Sequence, residues 1–598
     1  MTRKGGETLR TIRIALLFTF AVPAFGQVDY YFAPVSVTAS RMTRVLASET
    51  REWLVLDEDA IRRMPAQSIP DILRFSGVDI SRRGPVAQAD FSLRGSSFEQ
   101  VLVLVDGVRM NDPQTGHFIS DFPVAVQDIE RIEILSGQAS SVFGPEGFGG
   151  VIHIHTRTPE RTQTRAQLRG GSFRTAGGWM VQSLRTGRWR HLLSAGREKS
   201  DGYREETGLD AWTANVRAVF QTSRLHWSNS LSAGRRDFGA NGFYAPYPSH
   251  EITGTGIVQS ALDWQAGAQT RVRARLFGRR HDDEFVLDAN RPGWYRNTHR
   301  SKALGAEVQV NRFFSERMEA AAGAEWCAEA LASPRLGDHD RMRLAVFGEA
   351  ARRSGRGILV NAGIRADRLD GFGIRVSPSA GAAAAFRRHW RWRVSAGSIF
   401  RQPTFTELFY DSPSNRGNPD LGPESGQSID AGLSFRRGAL SLDWTLFGRR
   451  ETGPIDWVET APAVWTVRNL NDRMLLGMSL GAGWRRDAWE FRGFFQEIAY
   501  TADPGLRSAK YAANATRTLL TVSAGWEWPH RIRPLISFGY RRRRMMPDLT
   551  LTDLRFSKSW KSFSLHLDIH NVFGRIVEEI PGVPLPGRYA MIQAEIVR

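Results

Sequence analysis

His153 and His155 stand two residues apart in the run Val151-Ile152-His153-Ile154-His155. On a strand, positions i and i+2 share a face. The two imidazoles therefore sit side by side and have the chemistry to hold a metal ion, although partnered polar residues at a packing seam are the plainer expectation. A second group, Asp201-Gly202-Tyr203-Arg204-Glu205-Glu206 with Asp210, is rich in carboxylates. Carboxylates suit calcium, but Arg204 competes for them and the spacing follows no calcium loop, so a solvated charged loop is expected. Structural calcium is thus a second metal the sequence raises, again with the plainer reading preferred. The lone cysteine, Cys327, lies among Ala and Gly beside Trp326, as a small packing residue does. Gly144, Gly147, Gly149 and Gly150 lack the following Lys-Ser/Thr of a phosphate loop. With no GxSxG elbow and no HExxH motif, the chain reads as a non-enzyme.

The elements that carry these residues fall into two textures. From about Gln27 to Pro159, helical and strand patterns mix. Ser68 can cap a helix with Pro70 in its first turn, Ile69, Ile72 and Leu73 on its apolar side, and Gly77 at its end. Val101 to Val105 reads as a buried strand turned by Asp106-Gly107, and Arg131 to Leu135 as another. A small α+β domain with a mixed sheet is expected.

After residue 160 the pattern switches to strict alternation. Phe563, Leu565, Leu567 and Ile569 alternate with Ser564, His566 and Asp568; Leu442, Trp444 and Leu446 alternate with Asp443 and Thr445. The same texture repeats to residue 598, and such a length of it needs an apolar sink larger than a soluble core. Lipid is that sink: one face of each strand points to hydrocarbon, the other to a polar lumen. The sheet must close, because an open edge in a bilayer strands its backbone groups. Residues 160–598 allow about 20 residues for each of 22 strands with its connection. A barrel that wide needs a plug. The fold expected is an all-β transmembrane barrel of about 22 antiparallel strands with an N-terminal α+β plug in its lumen.

Charge agrees with that reading. The formal net charge is +18, and six of the 80 Lys+Arg residues are lysine, leaving 74 arginines. They are spread along the chain rather than gathered in a patch, which argues against nucleic acid and for a lined lumen and contact with phosphorylated lipid head groups. Arg3, Lys4, Arg10 and Arg13, then the apolar run Ile14 to Val22 and the small residues Ala24 and Gly26, read as a secretory signal over residues 1–26. A secreted chain of this size with one cysteine must be held by its own hydrogen-bond ladders.

Several segments together resemble the TonB-dependent outer-membrane receptors. Ile72-Leu73-Arg74-Phe75-Ser76-Gly77-Val78-Asp79-Ile80, Phe91-Ser92-Leu93-Arg94-Gly95, Val103 to Arg109, Ile129 to Ile134 and Val142-Phe143-Gly144 before Gly149-Gly150-Val151-Ile152 are similar to that family's plug. Phe400 to Phe405 and Gly417 to Glu424 resemble its late-loop motif. Within the family, Asn111 to His117 and Phe238 to Tyr244 look most like the cobalamin receptor branch.

The resemblance implies residues 27–50 as TonB box and periplasmic linker, 51–159 as plug and 160–598 as barrel. The box would be Val35, Ser36, Val37, Thr38 and Ala39, gripped by the energy-coupling protein TonB through strand addition. It implies buried locks between plug arginines Arg94 and Arg131 and barrel carboxylates. Substrate would meet Gln88, Ala89, Gln114, Thr115, His117 and Phe118 of the plug and Asn241, Phe243 and Tyr244 of a barrel loop, where amides and aromatics suit a large amphipathic ligand. The function implied is import of cobalamin or a related corrinoid across the outer membrane of a Gram-negative bacterium. A ferric-siderophore or haem receptor is the alternative, and a surface adhesin without transport a third. Two positions depart from the family: His153 and His155 replace other polar residues, and the last strand, Ala590 to Ile596, is followed by Val597-Arg598 where an aromatic is usually read by the barrel-assembly machinery. The second departure bears on assembly efficiency, not on fold.

Overall fold

A computed structural model of the chain describes residues 36–37, 44–45, 50–85, 87–500 and 509–598. The signal-like segment 1–26 lies outside them, as do Val35, Thr38 and Ala39 of the proposed box. Ser36–Val37 pairs antiparallel with Arg44–Val45.

The N-terminal domain is built on a five-stranded mixed sheet in the order Glu52–Asp57, Ile129–Ser136, Gly150–Thr156, Val101–Val105, Val108–Arg109. Gly150–Thr156 runs parallel to Val101–Val105, and the other pairings are antiparallel. The run Val101–Val105 is apolar throughout and buried throughout, as a central strand covered on both faces should be. Helix Ile69–Arg74 starts where Ser68 accepts from the Asp71 amide and carries its proline in the first turn. Ile72 and Leu73 from this helix pack with Val103, Ile132, Ile134, Ile152 and Ile154 in the main core.

The remainder closes into a 22-stranded antiparallel barrel. Consecutive strands pair as hairpins from Gln163–Gly171 onward, and the ring shuts where Arg165 to Gly171 pairs with Met591 to Val597. Its burial is inverted relative to a water-soluble protein. On Arg296–Ser315, Leu304, Val308 and Val310 are 57%, 47% and 43% exposed, whereas Asn297, His299, Ser301, Gln309 and Asn311 are buried. Apolar side chains face out and polar ones face in, the arrangement that a hydrocarbon surround demands. Among the described residues no helix is long and apolar enough to cross a membrane; the strands cross instead.

One end of the barrel has short turns, such as 187–188 and 222–224; the other carries long connections such as 402–423 and 571–588. Short turns mark the periplasmic end and long loops the outer end. Trp189, Phe220 and Trp227 cluster at the short-turn end, as do Trp489, Trp526 and Trp528, where an interfacial girdle belongs. At the outer end, helix Phe405–Phe409 and a small sheet of Asn415–Arg416, Val464–Asn469 and Ile455–Ala461 share an apolar cluster that includes Phe405, Leu408, Ile455, Trp457 and Val467.

Candidate functional site

The outer face of the plug is organised by the hairpin Asp79–Arg82 and Ala89–Ser92, whose tip presents Arg83 and Gln88. Arg83 Nη1 donates to Asp90 Oδ2 at 3.0 Å, and His117 Nδ1 lies 3.0 Å from Asp90 Oδ1. Burial alone raises the Asp90 carboxyl, but Arg83 and His117 beside it outweigh that and hold it below its ordinary value. Burial pushes the His117 imidazole down, against the pull of Asp90. Arg83 Nη2 also lies 3.3 Å from His117 Nδ1, and the ring turns Nε2 toward the Tyr511 hydroxyl, 3.4 Å away.

Rings gather around this imidazole. Phe98 stacks on it at 4.5 Å between centroids, and Tyr511 meets Phe98 edge-on at 5.0 Å. Tyr244 stands 6.1 Å from His117, with Arg83 over its face at 5.7 Å. Tyr244 is 45% exposed, yet its hydroxyl is tied to Gln88 Oε1 at 2.7 Å. Lys510 lies over Tyr511. Phe98 and His117 come from the plug, and Tyr244 and Tyr511 from two outer loops of the barrel. Phe98 and Arg83 are buried beneath the others, so the open surface is an aromatic shelf of His117, Tyr244 and Tyr511 with Lys510 exposed at its edge, able to stack against a flat ligand and hydrogen-bond its rim.

Below the shelf, the seam between plug and barrel wall is charged. Plug carboxylates meet wall arginines: Asp112 with Arg279 at 2.9 Å, Asp79 with Arg541 at 2.9 Å, Asp106 with Arg217 at 3.1 Å. Plug arginines meet carboxylates of the barrel chain: Arg74 with Asp553 at 2.7 Å and Arg82 with Glu579 at 2.9 Å. Arg94, at a positive φ of 50°, bridges Asp430 of the wall and Glu52 of the plug under Phe447. Each such pair is strong while intact and costly when one partner is removed.

Comparison with known proteins places this arrangement. Residues 153–572 match the family model described as "TonB dependent receptor-like, beta-barrel", and residues 47–151 match "TonB-dependent Receptor Plug Domain". The chain belongs to the TonB-dependent receptors. It is 24% identical over 481 residues to the vitamin B12 transporter BtuB of Vibrio vulnificus strain YJ016, covering 75% of each chain. It is 23% identical over 482 residues to that of Photobacterium profundum, again covering 75% of each. Among solved structures, the siderophore receptor PirA of Pseudomonas aeruginosa superposes with a TM-score of 0.75 at 16% identity, covering 91% of this chain and 99% of that one. The FrpB iron transporter of Neisseria meningitidis does so with a TM-score of 0.79 at 12% identity, covering 92% and 100%. At such identities the structures speak for the receptor fold alone.

Several residues expected to serve this receptor stand elsewhere. Arg131 is not a lock to the barrel: it bonds Glu130 at 3.0 Å and Glu133 at 2.9 Å, both on its own strand, because the i+2 position shares its face. Phe118 is buried against His281 at 4.5 Å and faces the wall rather than a ligand. Phe243 is buried with Leu209, Phe238, Ala240 and Val583, where it anchors its loop. Ala89 is buried, its amide spent on Ser120. Asn241 ties two outer loops together through the Glu205 carbonyl at 2.9 Å. Gln88, also buried, is held between Tyr244 and Glu251 of the wall. Gln114 and Thr115 are buried where the plug meets helix Phe405–Phe409; the Gln114 carbonyl accepts from the Thr406 amide.

The calcium candidates do not converge. Asp210 is taken by Arg197 and Lys199, Asp201 by Arg174, and Glu206 by His250. Glu205 joins no ligand cluster: among the described residues the single grouping with metal-ligand geometry is Glu133, His153 and His155. Of the shelf, sequence reading pointed to His117 and Tyr244, with Gln88 buried behind Tyr244, and missed Arg83, Asp90, Phe98, Lys510 and Tyr511. Arg83, Asp90 and Phe98 belong to the plug, and Lys510 and Tyr511 to a barrel loop outside the alternating strands, so only motif resemblance could find them.

Proposed function

We propose that this receptor imports a corrinoid of the cobalamin type across the outer membrane of a Gram-negative bacterium, driven by TonB. The observation that carries the reading is the shelf of His117, Tyr244 and Tyr511, seated on Phe98 where the outer face of the plug meets two barrel loops. A flat, amphipathic macrocycle offers a face to such rings and amide groups to the polar edge. The vitamin B12 transporters among its relatives, which match three quarters of the chain, support the same substrate class. Ligand bound at the shelf lies against the hairpin that carries Arg82 and Arg83. Force applied by TonB at Val35 to Ala39 reaches the sheet through Glu52–Asp57 and loosens the charged seam, opening a path along the wall.

Lys510 at the shelf edge, with Arg83 buried beneath the rings, favours a second reading, an anionic metal chelate. Titration of the purified receptor in detergent with cyanocobalamin, haem and ferric siderophores, followed by tryptophan fluorescence, separates the two. The expected result is saturable binding of cyanocobalamin, weakened at least tenfold in Tyr511→Ala and in His117→Ala. Binding of a ferric chelate alone overturns the corrinoid reading.

A further inference from the structure

The face of the plug sheet opposite its apolar core carries a compact donor set. Glu133 and His153 are direct partners on adjacent antiparallel strands, and His155 follows His153 on the same face. Their neighbours in sequence, Ile132, Ile134, Ile152 and Ile154, point the other way into the core and are almost wholly buried. The backbone under the donors is thus fixed by the packing of the domain. The two rings lie 3.8 Å apart between centroids. His155 Nε2 is 3.2 Å from Glu133 Oε1, and one ligand atom from each of the three residues lies within 4.8 Å of the other two. Donors about 2.1 Å from a tetrahedral ion stand about 3.4 Å from one another, so small side-chain rotations bring the set onto one ion. Arg131 grips the Glu133 carboxylate at 2.9 Å, as an outer partner orients a ligating carboxylate.

The set opens on a cavity of about 400 Å³ between plug and wall, lined also by His226, Gln259, Asp263 and Glu325 and by six arginines, Arg131 and Arg275 among them, so a bound cation is held by the donors against a positive surround. His226 and Asp263 lie near short turns, which puts the cavity in the periplasmic half of the lumen. We propose that Glu133, His153 and His155 form a site for a borderline divalent transition cation of the Zn²⁺ class, with water from the cavity completing the shell. Two imidazoles and one carboxylate suit such ions, whereas calcium and magnesium prefer all-oxygen sets. The site is separate from the outer shelf and does not depend on what the shelf binds.

The test uses full-length receptor without a histidine tag, stripped with chelator and dialysed against Zn²⁺, with bound metal measured by elemental analysis. One equivalent is expected. Affinity should fall at least tenfold in Glu133→Gln and in His155→Asn, while both variants keep the gel mobility of a folded barrel. An unloaded wild type at 100 µM Zn²⁺, or variants that load as the wild type does, overturns the site. Should a variant fail to fold, Co²⁺ bound to the wild type decides. X-ray absorption showing imidazole ligands supports the proposal; a shell of oxygen alone overturns it.

Discussion

Replacing Asp112 with Asn should loosen the plug by about a hundredfold. Asp112 and Arg279 side chains are 0% and 1% exposed, with Nη2 and Oδ2 2.9 Å apart. For charges about 4 Å apart at an effective dielectric of 20, attraction amounts to about 4 kcal/mol. Removing one partner of such a pair leaves the other buried and uncompensated, at a cost of about 3–5 kcal/mol. The lower end applies here, because Arg279 keeps the Met110 carbonyl at 2.8 Å. Three kcal/mol at about 1.4 kcal/mol per decade is roughly two decades in the opening equilibrium. The assay is hydrogen–deuterium exchange of the peptide covering Val101 to Phe118 in detergent-solubilised receptor, where Asp112→Asn should exchange about a hundredfold faster. The double variant Asp112→Leu/Arg279→Met should recover part of the protection, since it removes the uncompensated charge but leaves the Met110 carbonyl, the Gln114 amide and the Ser301 hydroxyl without these partners. A change below threefold in the single variant would refute the idea that seam charges retain the plug.

Three further outcomes follow from the same geometry. Gly77 has φ +79°, and a Cβ there would lie 2.6 Å from the Phe494 ring, whereas Gly187 has φ +62° and open space around it. Gly77→Ala should therefore lower the melting temperature more than Gly187→Ala, whose loss is limited to about 1–2 kcal/mol of left-handed backbone. Burial alone would raise the carboxyl of Glu579, but Arg82 and Arg541 hold it at about 2. A depressed carboxylate stabilises above its unfolded value and loses that contribution as pH falls through the folded one. Exchange protection at Asp79–Arg82 should thus decline between about pH 5 and pH 2, and Glu579→Gln should make that decline shallower, the remainder coming from Asp79, which Arg541 and Arg543 also hold below its ordinary value. Leu231, 57% exposed on the outside of the barrel, faces hydrocarbon, so Leu231→Arg should cost about 2–4 kcal/mol in refolding into lipid vesicles, where a water-facing leucine would tolerate the change.

The architecture was legible because each strand writes its own pattern. Leu565 and Leu567 against His566 and Asp568 mark two faces with no knowledge of the neighbouring strands, and Ser68 with Pro70 marks a helix start locally. The seam was not legible, because its pairs join positions far apart in sequence: Arg82 finds Glu579 497 residues away and Arg541 finds Asp79 462 away. Arg131 shows the converse error. Its nearest carboxylate is two positions along its own strand, and that local contact prevails over the distant partner expected for it. The shelf was half legible: motif resemblance led to His117 and Tyr244, while Tyr511 lies in a loop whose sequence carries no signal of what it packs against. His153 and His155 were visible as a pair, but Glu133 joined them only once strand register was known.

Uptake of radiolabelled cyanocobalamin by cells whose outer membrane holds this receptor as its corrinoid route tests the central claim most directly. Accumulation should require both TonB and Val35 to Ala39, while deletion of those five residues leaves surface binding intact. Equal accumulation with the segment deleted, or none with the intact receptor at the surface, would contradict energised import of a corrinoid through this barrel.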